Sequence, residues 1–81
     1  MRLNVRLFAV LRDRAGASDV SIELGPSPSA ADVKLAVADR LPQLRELLQK
    51  SAVAVNQSYA MPDTVIREGD EIALIPPVSG G

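Results

Sequence analysis

An 81-residue chain has room for one domain and one modest core, since a domain of this size buries only about 60 to 65% of the surface its unfolded chain exposes. The absence of cysteine and histidine excludes disulfides, thiol nucleophiles and the usual zinc sites. Nine basic and ten acidic residues, a formal charge of -1, provide no basic stripe for a phosphate backbone, which argues against a nucleic-acid partner. Apolar stretches are only a few residues long, and Met1-Arg2-Leu3 runs straight into a strand pattern rather than a charged and then apolar leader. No membrane association is expected, and the chain reads as soluble and cytoplasmic.

From Arg2 to Val10 the residues alternate, with Leu3, Val5, Leu7 and Ala9 on one face and Arg2, Asn4, Arg6 and Phe8 on the other, which predicts a first strand. Leu11 to Gly16 breaks the alternation and ends on a glycine able to take positive φ, so a short helical turn or loop is expected. Val20, Ile22 and Leu24 predict a short strand returning beside the first. After the punctuation of Gly25-Pro26-Ser27-Pro28, Ser29 has the form of a helix N-cap, with Asp32 placed to meet the unpaired amides of the first turn. Ala30, Val33, Val37 and Leu41 form the apolar stripe of that helix, and Lys34, Asp39 and Arg40 point away from it. Lys34 and Lys50 read as surface lysines without a role. Pro42 closes the stripe and opens a second short helix carrying Leu44, Leu47 and Leu48. Ala52–Val55 and Tyr59–Met61 predict a hairpin around Asn56-Gln57-Ser58. Asp63 to Gly69 is polar, with Val65 and Ile66 expected to be buried, and Glu68-Gly69-Asp70 turns into a last strand ending at Ile75. Pro76-Pro77 stops that strand, because neither residue has an amide to give a ladder.

Strand, strand, helix, strand, strand, strand is the β-grasp plan of an α+β domain, although hydrophobic periodicity alone supports only the α+β class and does not separate this topology from other small mixed folds. The plan has a mixed sheet of about five strands crossed by one main helix and a short second one. The domain is expected over residues 1–77, with Val78-Ser79-Gly80-Gly81 as a flexible tail.

Candidate chemistry concentrates in that tail. Only a chain terminus offers a carboxylate without backbone cleavage, and a carboxylate becomes an acyl donor once activation gives it a leaving group that a nucleophile can displace. Val78 to Gly81, extended, reach about 13 to 14 Å, enough to carry the Gly81 carboxylate into a partner's pocket. Gly80 and Gly81 lack Cβ and suit a narrow channel, while Pro76-Pro77 stiffens the base. Phe8 lies opposite the apolar face of its strand, and the same parity turns Ala73 and Ile75 outward in the last strand. Phe8 and Ile75 are therefore expected to share an exposed apolar patch beside the tail, the mark of a partner surface. Asp70 and Glu71 are adjacent and point apart, so they read as turn chemistry rather than an acid/base pair. No glycine-rich phosphate loop is present, so no nucleotide site is expected on this chain.

Leu7-Phe8-Ala9 with Leu11-Arg12, then Ala54-Val55-Asn56-Gln57, Glu68-Gly69-Asp70-Glu71-Ile72-Ala73 and the ending Ile75-Pro76-Pro77-Val78-Ser79-Gly80-Gly81 resemble the ubiquitin-like ThiS/MoaD family. Within it they are most similar to the MoaD-type sulfur-carrier subunits of molybdopterin synthase. The resemblance implies that Gly81 is adenylated by an E1-like enzyme of MoeB type, with ATP and Mg held by that enzyme. A sulfur donor enzyme then supplies the sulfur of a C-terminal thiocarboxylate. It further implies that Val78, Ser79, Gly80 and Gly81 thread into a MoaE-type large subunit within a heterotetramer. There sulfur passes to cyclic pyranopterin monophosphate, in a catalytic pocket that belongs to the large subunit. No cofactor or metal is implied for this chain, which is not an enzyme on its own. Positions matching Phe8, Tyr59 and Ile75 supply apolar partner contacts in that family, and the family's arginine falls on Arg12. A carrier of the same fold serving thiamine or cysteine synthesis, a ubiquitin-like protein modifier and a plain interaction domain are the alternatives.

Overall fold

The alternation that opens the chain forms a strand, β1 (Arg2–Leu7), because Leu3, Val5 and Leu7 can all be buried on one side while Arg2, Asn4 and Arg6 stay in solvent. A computed structural model describes residues 1–77. β1 is shorter than the alternation, which continues through Ala9. Ala9 instead takes a positive φ of 51°, and the chain turns there into helix α1 (Ala9–Ala15). A non-glycine residue in this region costs about 1 to 2 kcal/mol. Helical winding offsets that by burying Leu11 completely, a gain of about 1.5 to 3 kcal/mol. Gly16, at φ 72°, closes α1 by donating its amide to the Arg12 carbonyl (3.0 Å).

β2 (Asp19–Glu23) returns antiparallel to β1, with Leu3 opposite Ile22 and Val5 opposite Val20. Ser29 then caps α2 (Ala30–Arg40) reciprocally. Its Oγ accepts from the Asp32 amide (3.2 Å), and its own amide donates to the Asp32 carboxylate (2.9 Å). The buried stripe of α2 is Ala30, Val33, Val37 and Ala38. Leu41, expected in that stripe, is only half-buried, since the residue before Pro42 is pushed out of helical geometry and sits at φ -129°, ψ 76°. Pro42 opens a 3₁₀ turn (Pro42–Leu44) that leads into α3 (Arg45–Gln49) and places Leu44 and Leu48 in the core. Lys34 is not the idle surface lysine the pattern suggests. Its Nζ donates to the carbonyls of Ser51 (2.9 Å) and Gln49 (3.5 Å), bringing a cation to the C-terminal end of α3.

β3 (Ala52–Val55) and β4 (Ser58–Tyr59) are joined by Asn56 and Gln57, both at positive φ (52° and 71°). This is the two-residue turn whose twist matches a hairpin. Ser58 therefore belongs to the strand rather than the turn. β4 stops at Tyr59, short of the expected Met61, whose amide donates to Thr64 Oγ1 (3.0 Å) instead of extending the ladder. Of Val65 and Ile66, only Ile66 is buried. Val65 pairs with Ser29 in an isolated bridge and is exposed, because neighbours on extended backbone point to opposite sides.

β5 (Ile72–Ile75) completes a five-stranded sheet in the order β2-β1-β5-β3-β4, parallel to β1 and antiparallel to β3. The helices pack on one face, where Val5, Leu7, Ile72 and Leu74 of the two inner strands meet Val33, Val37, Leu44 and Leu48. The β-grasp plan holds, and the expected short helical turn or loop after the first strand is a helix of 7 residues, α1. The expected tail, 78–81, lies outside the described residues. Leu74 is fully buried at the centre of this layer, so Leu74→Ala should cost about 2 to 5 kcal/mol in urea unfolding and Leu74→Met under about 1.5. Equal losses for the two would contradict this packing.

Candidate functional site

With the helices on one face of the sheet, the other meets solvent, and strand register decides which side chains share it. Arg6 of β1 lies opposite Ala73 of β5, Ala73 opposite Ala54 of β3, and Ala54 opposite Tyr59 of β4. One row therefore crosses four strands with two alanines at its centre and two long side chains at its ends. Ile75 stands two residues beyond Ala73 on the same face, and Phe8 follows the end of β1. Phe8 is 37% exposed and Tyr59 75%. The Arg6 guanidinium sits 5.3 Å from the centroid of the Phe8 ring, a cation–π contact that steadies an aromatic ring on an open face. Together with Gln57 and Glu71 these residues line a recess of about 330 Å³.

The far wall is held by a local hydrogen-bond lock. Asn56 Oδ1 accepts from the Glu71 amide (2.9 Å), Asn56 Nδ2 donates to Asp70 Oδ1 (3.0 Å), and Asp70 Oδ2 accepts from the Arg67 amide (2.7 Å). The Arg67 amide foremost, and then the Asn56 side chain, hold the Asp70 carboxyl below its ordinary value of 3.8. Asp70 thus does turn chemistry, and Glu71 is presented to the recess rather than paired with it.

Phe8, Tyr59 and Ile75, singled out from sequence, come together around this one recess. Arg12 and Arg14 are exposed on α1, and neither lines it. Pro76 is buried and Pro77 exposed, a placement that suits Pro76 to the base of a tail. Val78, Ser79, Gly80 and Gly81 lie outside the described residues. Sequence reading gives no site role to Arg6, Ala54, Gln57, Glu71 or Ala73, although strand parity already puts Arg6 and Ala73 on the outer face, and Glu71 reads there only as turn chemistry. A larger groove of about 570 Å³ between α2, α3 and β3 contains none of the expected residues. Among the described residues no group of three or more acidic, histidine or cysteine side chains could hold a metal. No helix among them is long and apolar enough to cross a membrane.

The ThiS family model matches residues 5–81, nearly the whole chain. The chain belongs to the ThiS family. A relative from Chlamydomonas reinhardtii, named molybdopterin synthase sulfur carrier subunit, is 34% identical over 83 residues and covers 100% of both chains. The crystal structure of SAMP1 from Haloferax volcanii superposes with a TM-score of 0.86 at 28% identity, covering 100% of both chains. A chain from the complex of subunits 1 and 2 of the molybdopterin-converting factor of Helicobacter pylori superposes with a TM-score of 0.69 at 27% identity, again over 100% of both. The ubiquitin-like β-grasp is thus the fold of this ThiS-family member, as its element order predicts.

Two measurements check the site's construction. Phe8 stands on the solvent side of the sheet, so Phe8→Ala should cost no more than about 1 kcal/mol, against about 3 to 5 for a core phenylalanine. The Asp70 carboxyl is depressed in the folded state, so its contribution to stability is fully present above the unfolded value of about 3.9. It is lost as pH falls through the folded value. The stability gap between wild type and Asp70→Asn should therefore narrow below about pH 4, and a gap that stays constant down to pH 2 would exclude the lock as drawn.

Proposed function

We propose that this ThiS-family chain is the sulfur-carrier subunit of molybdopterin synthase and acts in the cytoplasm, where ATP is at hand. The observation that carries the reading is the full-length relationship to a molybdopterin synthase sulfur carrier subunit, joined to an apolar recess whose wall residue Ile75 leads into the C-terminal residues. A carrier needs a partner surface at the root of a reactive terminus, and this arrangement supplies one.

On this reading the Gly81 carboxylate attacks the α-phosphorus of ATP on an E1-like activating enzyme of MoeB type, releasing pyrophosphate and forming an acyl-adenylate. A sulfide equivalent from a sulfur donor enzyme adds to the carbonyl carbon, and AMP leaves with the bonding pair of the broken C–O bond. The resulting thiocarboxylate is carried into the MoaE-type large subunit, where it transfers sulfur to the pterin precursor. Water then restores the carboxylate. ATP and Mg are held by the activating enzyme, and the catalytic pocket belongs to the large subunit. Phe8, Tyr59 and Ile75 form the docking face, and Arg12, exposed on α1, is a separate partner contact. Pro76 and Pro77 set the base of the tail, and Val78 to Gly81 thread it. Two glycines at the tip let a narrow channel close around bare backbone, at an ordering cost of about 1 to 2 kcal/mol per residue fixed.

The structural likeness to SAMP1, a small archaeal modifier protein, favours a second reading. The adenylate would be the same, but a lysine amine rather than sulfide would displace AMP and leave an isopeptide bond. The two readings part at the product. Incubation with ATP, sulfide and the activating enzyme should raise the intact mass by about 16 Da, oxygen replaced by sulfur at one carboxyl, whereas a modifier gives isopeptide-linked ladders with other proteins. Deleting Gly80 and Gly81 should abolish molybdopterin formation with a MoaE-type subunit and cyclic pyranopterin monophosphate while hardly moving the thermal transition. Full activity in the truncated protein removes the carrier reading, and no product from the intact thiocarboxylate with a competent large subunit removes the assignment to molybdopterin.

A further inference from the structure

The recess on the open face of the sheet has a definite shape, and the shape comes from two residues that bear no functional group. Ala54 and Ala73 are register partners on neighbouring strands. A β-sheet places the Cβ atoms of such a pair about 4.5 to 5.5 Å apart, so two methyl groups side by side make a low floor. Around it stand Arg6, Phe8, Tyr59 and Ile75, all far longer, with Glu71 at the remaining edge. The volume, about 330 Å³, lies at the lower limit for small-molecule pockets and suits a projecting side chain better than a cofactor.

The position of the recess indicates what enters it. On the proposed function, the large subunit, which receives the Gly81 thiocarboxylate, must lie within the reach of Val78–Gly81, about 13 to 14 Å from Pro77. Ile75 is both a wall of the recess and two residues before Pro77. The receiving partner therefore covers this face, and whatever it projects there meets an apolar floor with an aromatic wall on two sides.

We propose that the large subunit docks by seating one bulky apolar side chain on the Ala54–Ala73 floor, and that these two alanines, through their smallness, determine whether the carrier is accepted. This rests on the carrier reading above. Buried apolar anchors of this kind, centred in a ring of longer residues that exclude water, carry most of the binding energy at protein interfaces. Arg6 acts here as a positioning residue, holding the Phe8 wall upright through its cation–π contact.

The chain has no cysteine, so Ala73→Cys introduces a unique thiol of nearly alanine size, and the floor can be raised after folding. The purified variant, in its carboxylate form, is treated with methyl, propyl or benzyl methanethiosulfonate, freed of reagent, and titrated calorimetrically into the MoaE-type large subunit. Arg40→Cys on α2, on the opposite side of the sheet, carries the same tags as a control. The untagged Ala73→Cys variant should bind within about 3-fold of wild type, and affinity should fall stepwise with tag size, by about 30-fold or more for benzyl. Tagged Arg40→Cys should match wild type. Benzyl-tagged Ala73→Cys that binds as tightly as tagged Arg40→Cys overturns the inference and leaves the carrier reading standing. Wild-type protein that fails to bind the large subunit removes both. Ala54 is only 5% exposed, so its size is varied genetically: Ala54→Val should also weaken binding, and unchanged affinity in the folded variant counts against a shared floor.

Discussion

The structure turns on one pairing, that of the first strand with the last. β1 and β5 lie side by side and parallel at the middle of the sheet, with Val5 opposite Ile72 and Leu7 opposite Leu74. Parallel neighbours cannot be joined by a hairpin, so the intervening chain has to cross a face of the sheet, and α2 and α3 are that crossing. The same pairing sends the C-terminal segment out from the centre of the sheet instead of its edge. It also brings Phe8, which leaves β1 at the turn into α1, to the side of Ile75. Core, crossover and recess all follow from this one contact.

Most of this was legible because a strand with one buried face writes its parity into the sequence. Leu3, Val5 and Leu7 against Arg2, Asn4 and Arg6, and Ile72 and Leu74 against Ala73 and Ile75, are enough to orient two strands and to place Phe8 outside the core. The cap at Ser29 was legible for the same reason, since reciprocal hydrogen bonds need particular residues at a fixed spacing. What could not be read depended on backbone conformations without a residue-type signature. Alanine at positive φ is one, and it cut β1 short at Ala9. Lysine reaching across space is another: Lys34 meets the end of α3 only because α2 and α3 are packed together. The recess fell between these cases. Its walls were recognisable as large exposed residues, whereas its floor is made of alanines, which attract no notice until register sets Ala54 beside Ala73.

Small residues line hollows on both faces of the sheet. On the helical side, Ala30 and Ala38 belong to the core and also border the groove between α2, α3 and β3. On the open side Ala54 and Ala73 floor the recess, Ala54 only 5% exposed at its bottom, with Arg6, Phe8 and Tyr59 around them. On the carrier reading, such a hollow suits a protein whose chemistry is completed by another.

The recess also has a history in time. Its lining comes from β1, β3, β4 and β5 together with the turn between β3 and β4. It therefore exists only once the two ends of the sequence have paired, and such distant contacts are among the last and slowest that a chain closes. The terminal glycines are covalently present in every copy, folded or not, but the surface that introduces them is not. On the carrier reading, an enzyme that binds this face before it reaches for the carboxylate would inspect folding as well as identity, and an incompletely folded chain ending in the same residues would draw neither ATP nor sulfur.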